Sequence, residues 1–575
     1  MGGARVLLLL LLIGWGKVMC INWNPIPRKT IKHSDVCDSV ARFRAAGAIF
    51  ALDPSDISRQ LRPQIDWAAP QEKKKECVTK GKNNQTECFN YIRFLQTYNH
   101  THLYTCGTYA FQPTCTYINA DRFTLDSAAL EDGKGKCPYD PAKGHIGLLV
   151  DKELYSATVN NFLGTEPVIL RNLGPHHSLK SESSIWLKEP DFVGSALVPE
   201  SSGSREGDDD KIYFFFSEHA EELACDSEVT VARVARVCKK KWTTFQKARL
   251  VCSLPERHVT FNNLRAVFTL PGPDWRSTAF YGIFHAQWGD VDVSVVCRYH
   301  IGEVKNVFDG PYMEYREASQ RWDRYTGPCP APARCITNWH RENGFNSSLQ
   351  LPDSTLNFAK KHPLMERAAT RPLLLTKGIN FTRLAVDRVI ALDQKPYSVL
   401  FVGTAEGWLQ RAVVLDSEAH VIEEIQLFDH PQPVDSLTIS HSKKFLYVGS
   451  RSERGRVCIR IDLHRGSTST LTQDLALDRF IHKAKFDKPV FIPSSDPSRP
   501  KNVTVVVGSD LVLPCHLVSN LAQPSWLLNE RELPLGGGEG GATEPRFDRA
   551  LRALVIPNAG PQQAGATPAT PRSRA

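Results

Sequence analysis

The segment KECVTKGKNNQTECFNYIRF (residues 75–94) gathers side chains that could do chemistry. Cys77 and Cys88 bracket a loop that carries Lys80, Gly81, Lys82 and the acceptor triplet Asn84-Gln85-Thr86. Such a pair could hold a metal as thiolates, act as a reactive thiol, or close a disulfide around a loop offered to a partner. Ten residues separate the two cysteines and none is histidine, a poor spacing for zinc. The rest of the chain carries no G-x-S-x-G elbow, P-loop, H-E-x-x-H or C-x-x-C pair. His176-His177 in LGPHHSL could ligate a metal but reads as an exposed loop. Asp208-Asp209-Asp210 follows a glycine just before a strand and could collect calcium or supply catalytic carboxylates. A solvated turn is the simpler reading. No catalytic residue, metal site or cofactor is expected, and the chain reads as a non-enzyme.

What positions that loop depends first on the compartment. The chain opens MGGARVLLLLLLIGWGKVMC: one arginine and then an apolar run of roughly ten residues, the length of a signal-peptide core and too short for a bilayer. Residues 1–20 are therefore expected to direct secretion. Fifteen cysteines in an oxidising compartment read as a disulfide framework. Asn84, Asn99, Asn346, Asn380 and Asn502 each begin an N-x-S/T acceptor, which suits a glycosylated extracellular surface. The net charge of +8 is compatible with weak attraction to acidic glycans, but no basic stripe suggests nucleic acid.

Strand-like stretches recur: LYTCGTYAF from Leu103, LYSATVNNF from Leu154, IYFFFSEHA from Ile212, FYGIFHAQW from Phe280, LFVGTAEGW from Leu400 and LYVGSRSER from Leu446. Their starts lie roughly 50 to 70 residues apart with one gap near double that, the sign of an all-β radial repeat. Six copies plus the long gap predict a seven-bladed β-propeller. A helix is predicted within residues 348–365, in a connection. Past Gly449 the pattern gives way to a polar, irregular stretch. Strand patterning resumes at NVTVVVGSDLVLPCHL, and Trp526 follows Cys515 by eleven residues, the core spacing of an immunoglobulin-like β-sandwich. The second core cysteine of such a sandwich does not appear, so residues 498–575 read as a partial one.

These segments resemble a known family. KGKNNQTECFNYIRFLQ, LYTCGTYAFQPTC, EDGKGKCPYDPAKG, GDDDKIYFFFSE, VARVARVCK, KWTTFQKARLVCS and RWDRYTGP are similar to the sema domain of semaphorins, over residues 44–450. The set is most similar to class 4 members, and NNFLGTEPVILRNLGPHH leans to the C subtype. The resemblance implies an extracellular signalling ligand built on a seven-bladed propeller that forms a homodimer and binds plexin receptors, of the B type for class 4. It implies roles in axon guidance, cell migration and neural development. Two other classes suit a secreted propeller: a hydrolase with carboxylates at the axis, and a glycan-binding surface protein. The repeated S-x-D-x-G-x-T-W boxes of many propeller hydrolases do not occur.

The resemblance also implies pairings of Cys77 with Cys88, Cys106 with Cys115, Cys238 with Cys335, and Cys252 with Cys297. Cys20, Cys37, Cys137, Cys225, Cys329, Cys458 and Cys515 receive no partner from it. For the plexin-facing surface it implies the turn Lys80–Gly81–Lys82, Phe162 in the NFLG turn, and Lys377 in LLTKGIN. The chain departs from the family at RFRAAGAIFAL, where a longer entering strand is usual, and between Cys238 and Trp242. Residues 451–497 form an irregular linker where a plexin-semaphorin-integrin module would be expected. The departures imply a truncated or differently assembled form, secreted as this chain stands and at the cell surface for the full-length family member.

Overall fold

Each of the six recurring stretches becomes the second strand of an antiparallel sheet: His102–Gly107, Glu153–Val159, Lys211–His219, Ala279–Trp288, Pro396–Thr404 and Phe445–Ser452. A second strand of a propeller sheet is covered on both faces by neighbouring sheets. It therefore reads as a near-continuous apolar run rather than an alternating one. Every residue of Glu153–Val159 is buried, as is all but the last residue of Lys211–His219.

The computed structural model describes residues 29–31, 40–43 and 47–463, apart from loops at 175–177, 182–185, 221, 223–228, 240–244, 289–290, 317–320, 329–334, 347–349, 392–393, 441–444 and 453–454; beyond 463 it describes only short strands. The signal segment, Cys20, Cys37, His176, His177, Cys225, Cys329, Asn502, Cys515 and Trp526 lie outside the described residues. Among the described residues no helix is long and apolar enough to cross a membrane.

The unit spanning Pro27–Ile481 holds six sheets of four to six strands, arranged as a sema-type β-propeller. Apolar faces of successive sheets meet: Tyr155 and Ile169 pack with Phe214 and Phe216, and Ile283 and Val296 pack with Leu400 and Val402. Cys106–Cys115 staples neighbouring strands, and Cys252–Cys297 joins the fourth strand of one sheet, Gln246–Leu254, to the third strand of the next, Val291–His300.

The long gap in the repeat does not hold a blade. Between the strands Val291–His300 and Pro372–Lys377 of one sheet runs an insertion of helices α2 (Ile301–Phe308), α3 (Asn338–Glu342) and α4 (Asp353–Lys361), following α1 (Gln71–Thr79) in chain order. It also carries the hairpin Met313–Arg316/Arg321–Arg324 and the strand Leu364–Thr370, which pairs parallel with Gln246–Leu254 of the neighbouring sheet. Cys238–Cys335 ties this insertion to the strand Thr230–Cys238. The helix predicted within 348–365 is α4. Between the last sheet and the first, the only sheet among the described residues is the two-stranded hairpin Ala48–Leu52/Gln60–Asp66.

The N-terminal end of the unit closes onto the last two sheets. Lys29–Ile31 adds parallel to Glu418–Gln426, and Val40–Phe43 adds antiparallel to Gly455–Asp462. The last sheet thus runs on to Asp462, into residues expected to be irregular linker. The reason is legible in RVCIRID: Val457, Ile459 and Ile461 alternate with polar residues, as a strand with one covered face does.

In the second unit, the described residues form a sheet of Leu511–Pro514, Ala553–Ile556 and Arg546–Asp548, and the two-residue pairs Val490–Phe491 with Arg572–Ser573 and Leu527–Leu528 with Arg531–Glu532.

Candidate partner surface

The basic turn is built by a helix end. Helix α1 stops at Thr79, and Gly81 takes φ +87°, a left-handed conformation that glycine adopts without steric cost. Gly81 N–H donates to the Val78 carbonyl at 2.9 Å and Lys82 N–H to that of Cys77 at 3.3 Å, the paired bonds of a Schellman cap. Cys77, in the last turn of α1, is bonded to buried Cys88. Within the loop, Asn83 Oδ1 accepts the Gln85 N–H and Glu87 Oε2 accepts the Asn83 N–H, both at 2.7 Å. Asn84 is exposed on this loop, as are Asn346 and Asn380 elsewhere. Asn99 is half-buried, with its Oδ1 accepting the backbone N–H groups of Thr101 and His102.

The lysines of this turn meet an aromatic pair. Lys82 Nζ lies 4.5 Å from the Phe111 ring centroid and 5.5 Å from that of Phe162, and Lys80 Nζ is also 5.5 Å from Phe162. Phe162 packs on Phe111 at a centroid distance of 5.4 Å, at the margin of an apolar cluster that includes both cysteines of the staple. A half-buried Phe162 thus joins the loop to the propeller, while its neighbour Leu163 is 77% exposed. Cation–ring contacts of this length contribute about 0.5–1 kcal/mol at exposed sites.

Phe111 reaches that position through strained backbone. Tyr109, Ala110 and Phe111 have φ of 43°, 58° and 61°, three successive non-glycine residues in the left-handed region. Each costs about 1–2 kcal/mol there. The turn is held by Cys106–Cys115 on its flanks and by Tyr109 N–H to Asn90 Oδ1 at 3.0 Å. Ala110 N–H to the Phe89 carbonyl, at 3.1 Å, adds to it, as does the burial of Phe111.

Beside Phe162 lies a cavity of about 120 Å³ lined by Lys82, Tyr139, Asp140, Lys143, Phe162 and Leu163. Burial, with Asp132 and Glu166 nearby, raises the Tyr139 phenol above its usual range, so it stays a hydrogen-bond donor. Sequence reading missed Lys143, Tyr139, Leu163 and Phe111. The stretch KCPYDPAKG was visible as a motif, but nothing in its spacing places it against the NFLG turn. Lys377 is not part of this surface: it ends the strand Pro372–Lys377 in another sheet, in register with Val293.

The acidic run is neither a free turn nor a carboxylate cluster. Lys211 Nζ lies 2.8 Å from Asp208 Oδ1, and Lys239 Nζ lies 3.4 Å from Asp210 Oδ2 and 2.5 Å from Asp151 Oδ2. Burial opposes ionisation of Asp210, but hydrogen bonds from Ser201 and the Lys239 charge outweigh it and hold the carboxyl below its ordinary range. The solvated turn expected here is an internal ion network instead, because the flanking lysines fold back onto it.

A radial array of antiparallel sheets with a cation-rimmed aromatic patch at one edge defines a propeller-type binding domain, and comparison with known proteins agrees. The Sema domain model matches residues 264–441. Over 93% of its length the chain is 51% identical to Semaphorin-4C of Mus musculus, spanning 71% of that protein. It is 41% identical to Semaphorin-4G of Homo sapiens, over 91% of this chain and 66% of that protein. With Semaphorin-4D of Homo sapiens the identity is 41% over 78% of this chain and 56% of that protein. Among solved structures, a chain of Drosophila Plexin A in complex with Semaphorin 1b superposes with a TM-score of 0.62 at 26% identity, covering 77% of this chain and 88% of that one. Drosophila Semaphorin 1a, extracellular domains 1–2, gives 0.62 at 29% identity, over 77% and 87%.

The chain belongs to the semaphorin family, class 4, and its relatedness to the C subtype matches the motif reading. It is a member of a signalling-ligand family and not an enzyme.

Proposed function

We propose that this chain is an extracellular guidance ligand whose propeller binds a plexin receptor, of the B type, through Lys80–Lys82 and Phe162. The observation that carries the reading is the convergence of Lys80 and Lys82 on the Phe162 ring, beside exposed Leu163. An aromatic anchor ringed by cations is suited to a partner patch of apolar and acidic groups. The disulfide from Cys77 to Cys88 holds the turn rigid and lowers the entropy lost on binding. The solved complex of Drosophila Plexin A with Semaphorin 1b supports a plexin as the partner class.

In the same reading the propeller forms a homodimer, and the chain acts in axon guidance, cell migration and neural development. It is secreted after loss of residues 1–20, and full-length relatives sit at the cell surface. The hairpin Ala48–Leu52/Gln60–Asp66 stands in the place of a seventh blade, and Leu511–Ile556 belongs to a partial immunoglobulin-like sandwich. Glycans occupy Asn84, Asn99, Asn346, Asn380 and Asn502, and Lys377 contributes at most from a distance. The hydrolase alternative gains nothing from relatives that are semaphorins.

The deciding experiment expresses residues 21–575 and measures secretion, oligomeric state, and binding to B-type and A-type plexin ectodomains. Saturable binding with B-type preference is expected; a secreted, folded chain that binds neither overturns the reading. Retention on heparin at physiological salt would instead favour the glycan-binding alternative.

A further inference from the structure

In the first sheet three tyrosines and one carboxylate form a continuous row. Tyr104 and Tyr117 stand directly opposite each other on the neighbouring strands His102–Gly107 and Thr114–Asn119, with ring centroids 5.1 Å apart. Tyr98, just beyond the end of the strand Ile92–Thr97, meets Tyr117 edge-on, also at 5.1 Å. Aromatic pairs across strands are ordinary packing, but this row ends on a base. Tyr104 is fully buried, and its hydroxyl donates a hydrogen bond to Glu131 Oε1. The ammonium of buried Lys136 stands 3.2 Å from Glu131 Oε2 and compensates its charge. At the other end the row reaches solvent, since Tyr98 and Tyr117 are half-buried. Burial, with Tyr98 and Glu131 nearby, pushes the Tyr117 phenol up to about 12, so it holds its proton at neutral pH.

Taking one electron from a phenol makes its O–H strongly acidic, so a phenol already bonded to a base gives up the electron most readily. In this row that phenol is Tyr104, whose proton has a carboxylate to go to. The Tyr117 hydroxyl is hydrogen-bonded to that of Tyr98, a far weaker base. Two other described phenols donate to carboxylates, but neither ends such a row. Tyr213 donates to Glu200 Oε1 at 2.6 Å, yet its ring neighbours are Phe280 and Phe308, which common one-electron oxidants leave untouched. Tyr155 divides its proton between Glu153 Oε2 at 3.2 Å and the Lys239 carbonyl at 2.8 Å.

We infer that Tyr104 is the preferred one-electron oxidation site of this chain, reached from the surface through Tyr98 and Tyr117. A diffusible one-electron oxidant, a radical or an oxidised metal complex, takes an electron from an outer ring. The electron deficit passes across the contacting rings to Tyr104, whose phenolic proton moves to Glu131. The products are a neutral tyrosyl radical, a protonated Glu131 and the oxidant reduced by one electron. The row packs in the cluster that holds Cys106–Cys115, so the oxidising equivalent comes to rest beside a staple of the first sheet. This site is separate from the Phe162 surface and does not depend on plexin binding.

Flash oxidation of the purified chain by a photoexcited ruthenium tris-bipyridine complex with a sacrificial electron acceptor, then rapid freezing and electron paramagnetic resonance, tests this. One ordered tyrosyl signal is expected, coupled to a single exchangeable proton, the one held between Tyr104 and Glu131. Tyr104→Phe is expected to remove that signal. Glu131→Gln, whose amide takes up no proton, is expected to cut its yield severalfold. Tyr117→Phe leaves Tyr104 and Glu131 in place and is expected to lower the yield by breaking the row, while Tyr213→Phe changes nothing. The same signal at full yield in a folded Tyr104→Phe or Glu131→Gln overturns the inference, and full yield in Tyr117→Phe overturns the route. If Tyr104→Phe does not fold, Glu131→Gln decides, because that side chain is 36% exposed and tolerates replacement.

Discussion

The ammonium of Lys82 stands 4.5 Å from the ring centroid of Phe111, on the strained left-handed turn that delivers that ring to the surface. A basic residue from a helix cap and an aromatic residue from a β-turn are thereby locked in one geometry, and Phe162 closes over both.

Phe162→Arg places a third cation against Lys80 and Lys82 and removes the anchor ring. Plexin affinity is expected to fall about 30-fold or more, the range of a lost hot spot. Secretion is expected to persist, because Phe162 lies at the margin of its cluster. Surface plasmon resonance on the secreted variant checks this, and undiminished affinity would remove Phe162 from the interface.

Gly81→Ala probes the cap alone. A Cβ at Gly81 meets nothing within 4 Å, so the cost is backbone strain at φ +87°. A loss of about 1 kcal/mol is expected, with Gly81→Asn closer to wild type, since asparagine tolerates the left-handed region. Chemical denaturation of the two variants reads the difference.

Glu218 holds two buried cations on one oxygen, Lys247 Nζ at 2.6 Å and Arg233 Nε at 2.7 Å. Burial lowers the Lys247 pKa despite the attraction of Glu218, whereas Arg233 gains enough from Glu218 and Glu222 to be raised. Glu218→Gln uncovers both charges and is expected to destabilise by about 3–5 kcal/mol. Urea unfolding with unchanged midpoint would show that the charges are screened by other groups.

His145 gives a pH dependence with a defined sign. Burial lowers its pKa more than the hydrogen bond to the Lys136 carbonyl raises it, leaving it at about 4 in the folded chain. The unfolded chain binds the proton more tightly, so the contribution of neutral His145 is complete above about pH 6.5 and is lost as pH falls toward 4. The ring keeps some solvent contact, and about 1–2 kcal/mol of acid sensitivity is expected after allowing for screening. His145→Gln is expected to flatten the stability profile over that window, as read by thermal melting at successive pH values.

Much of the fold was legible because a buried second strand leaves an unbroken apolar run, and all six such runs were found. The seventh was inferred from spacing, yet the spacing between Phe280 and Leu400 reflects an insertion of three helices and a hairpin. Length alone does not distinguish a blade from an insertion. At the candidate site, Lys80, Lys82 and Phe162 came from motif resemblance, and the structure brings them into contact. Lys143 and Tyr139 were missed because their proximity is tertiary.

The strand Val40–Phe43 pairs with Gly455–Asp462, Ala41 opposite Cys458. During synthesis at about 5–20 residues per second, the first segment made waits tens of seconds for the last before it has anything to pair with. Ring closure therefore waits until Gly455–Asp462 has been made, and its long-range contacts place the chain among slow folders. Throughout that interval the last sheet keeps an open edge, a template on which another chain can pair before the N-terminal strand covers it.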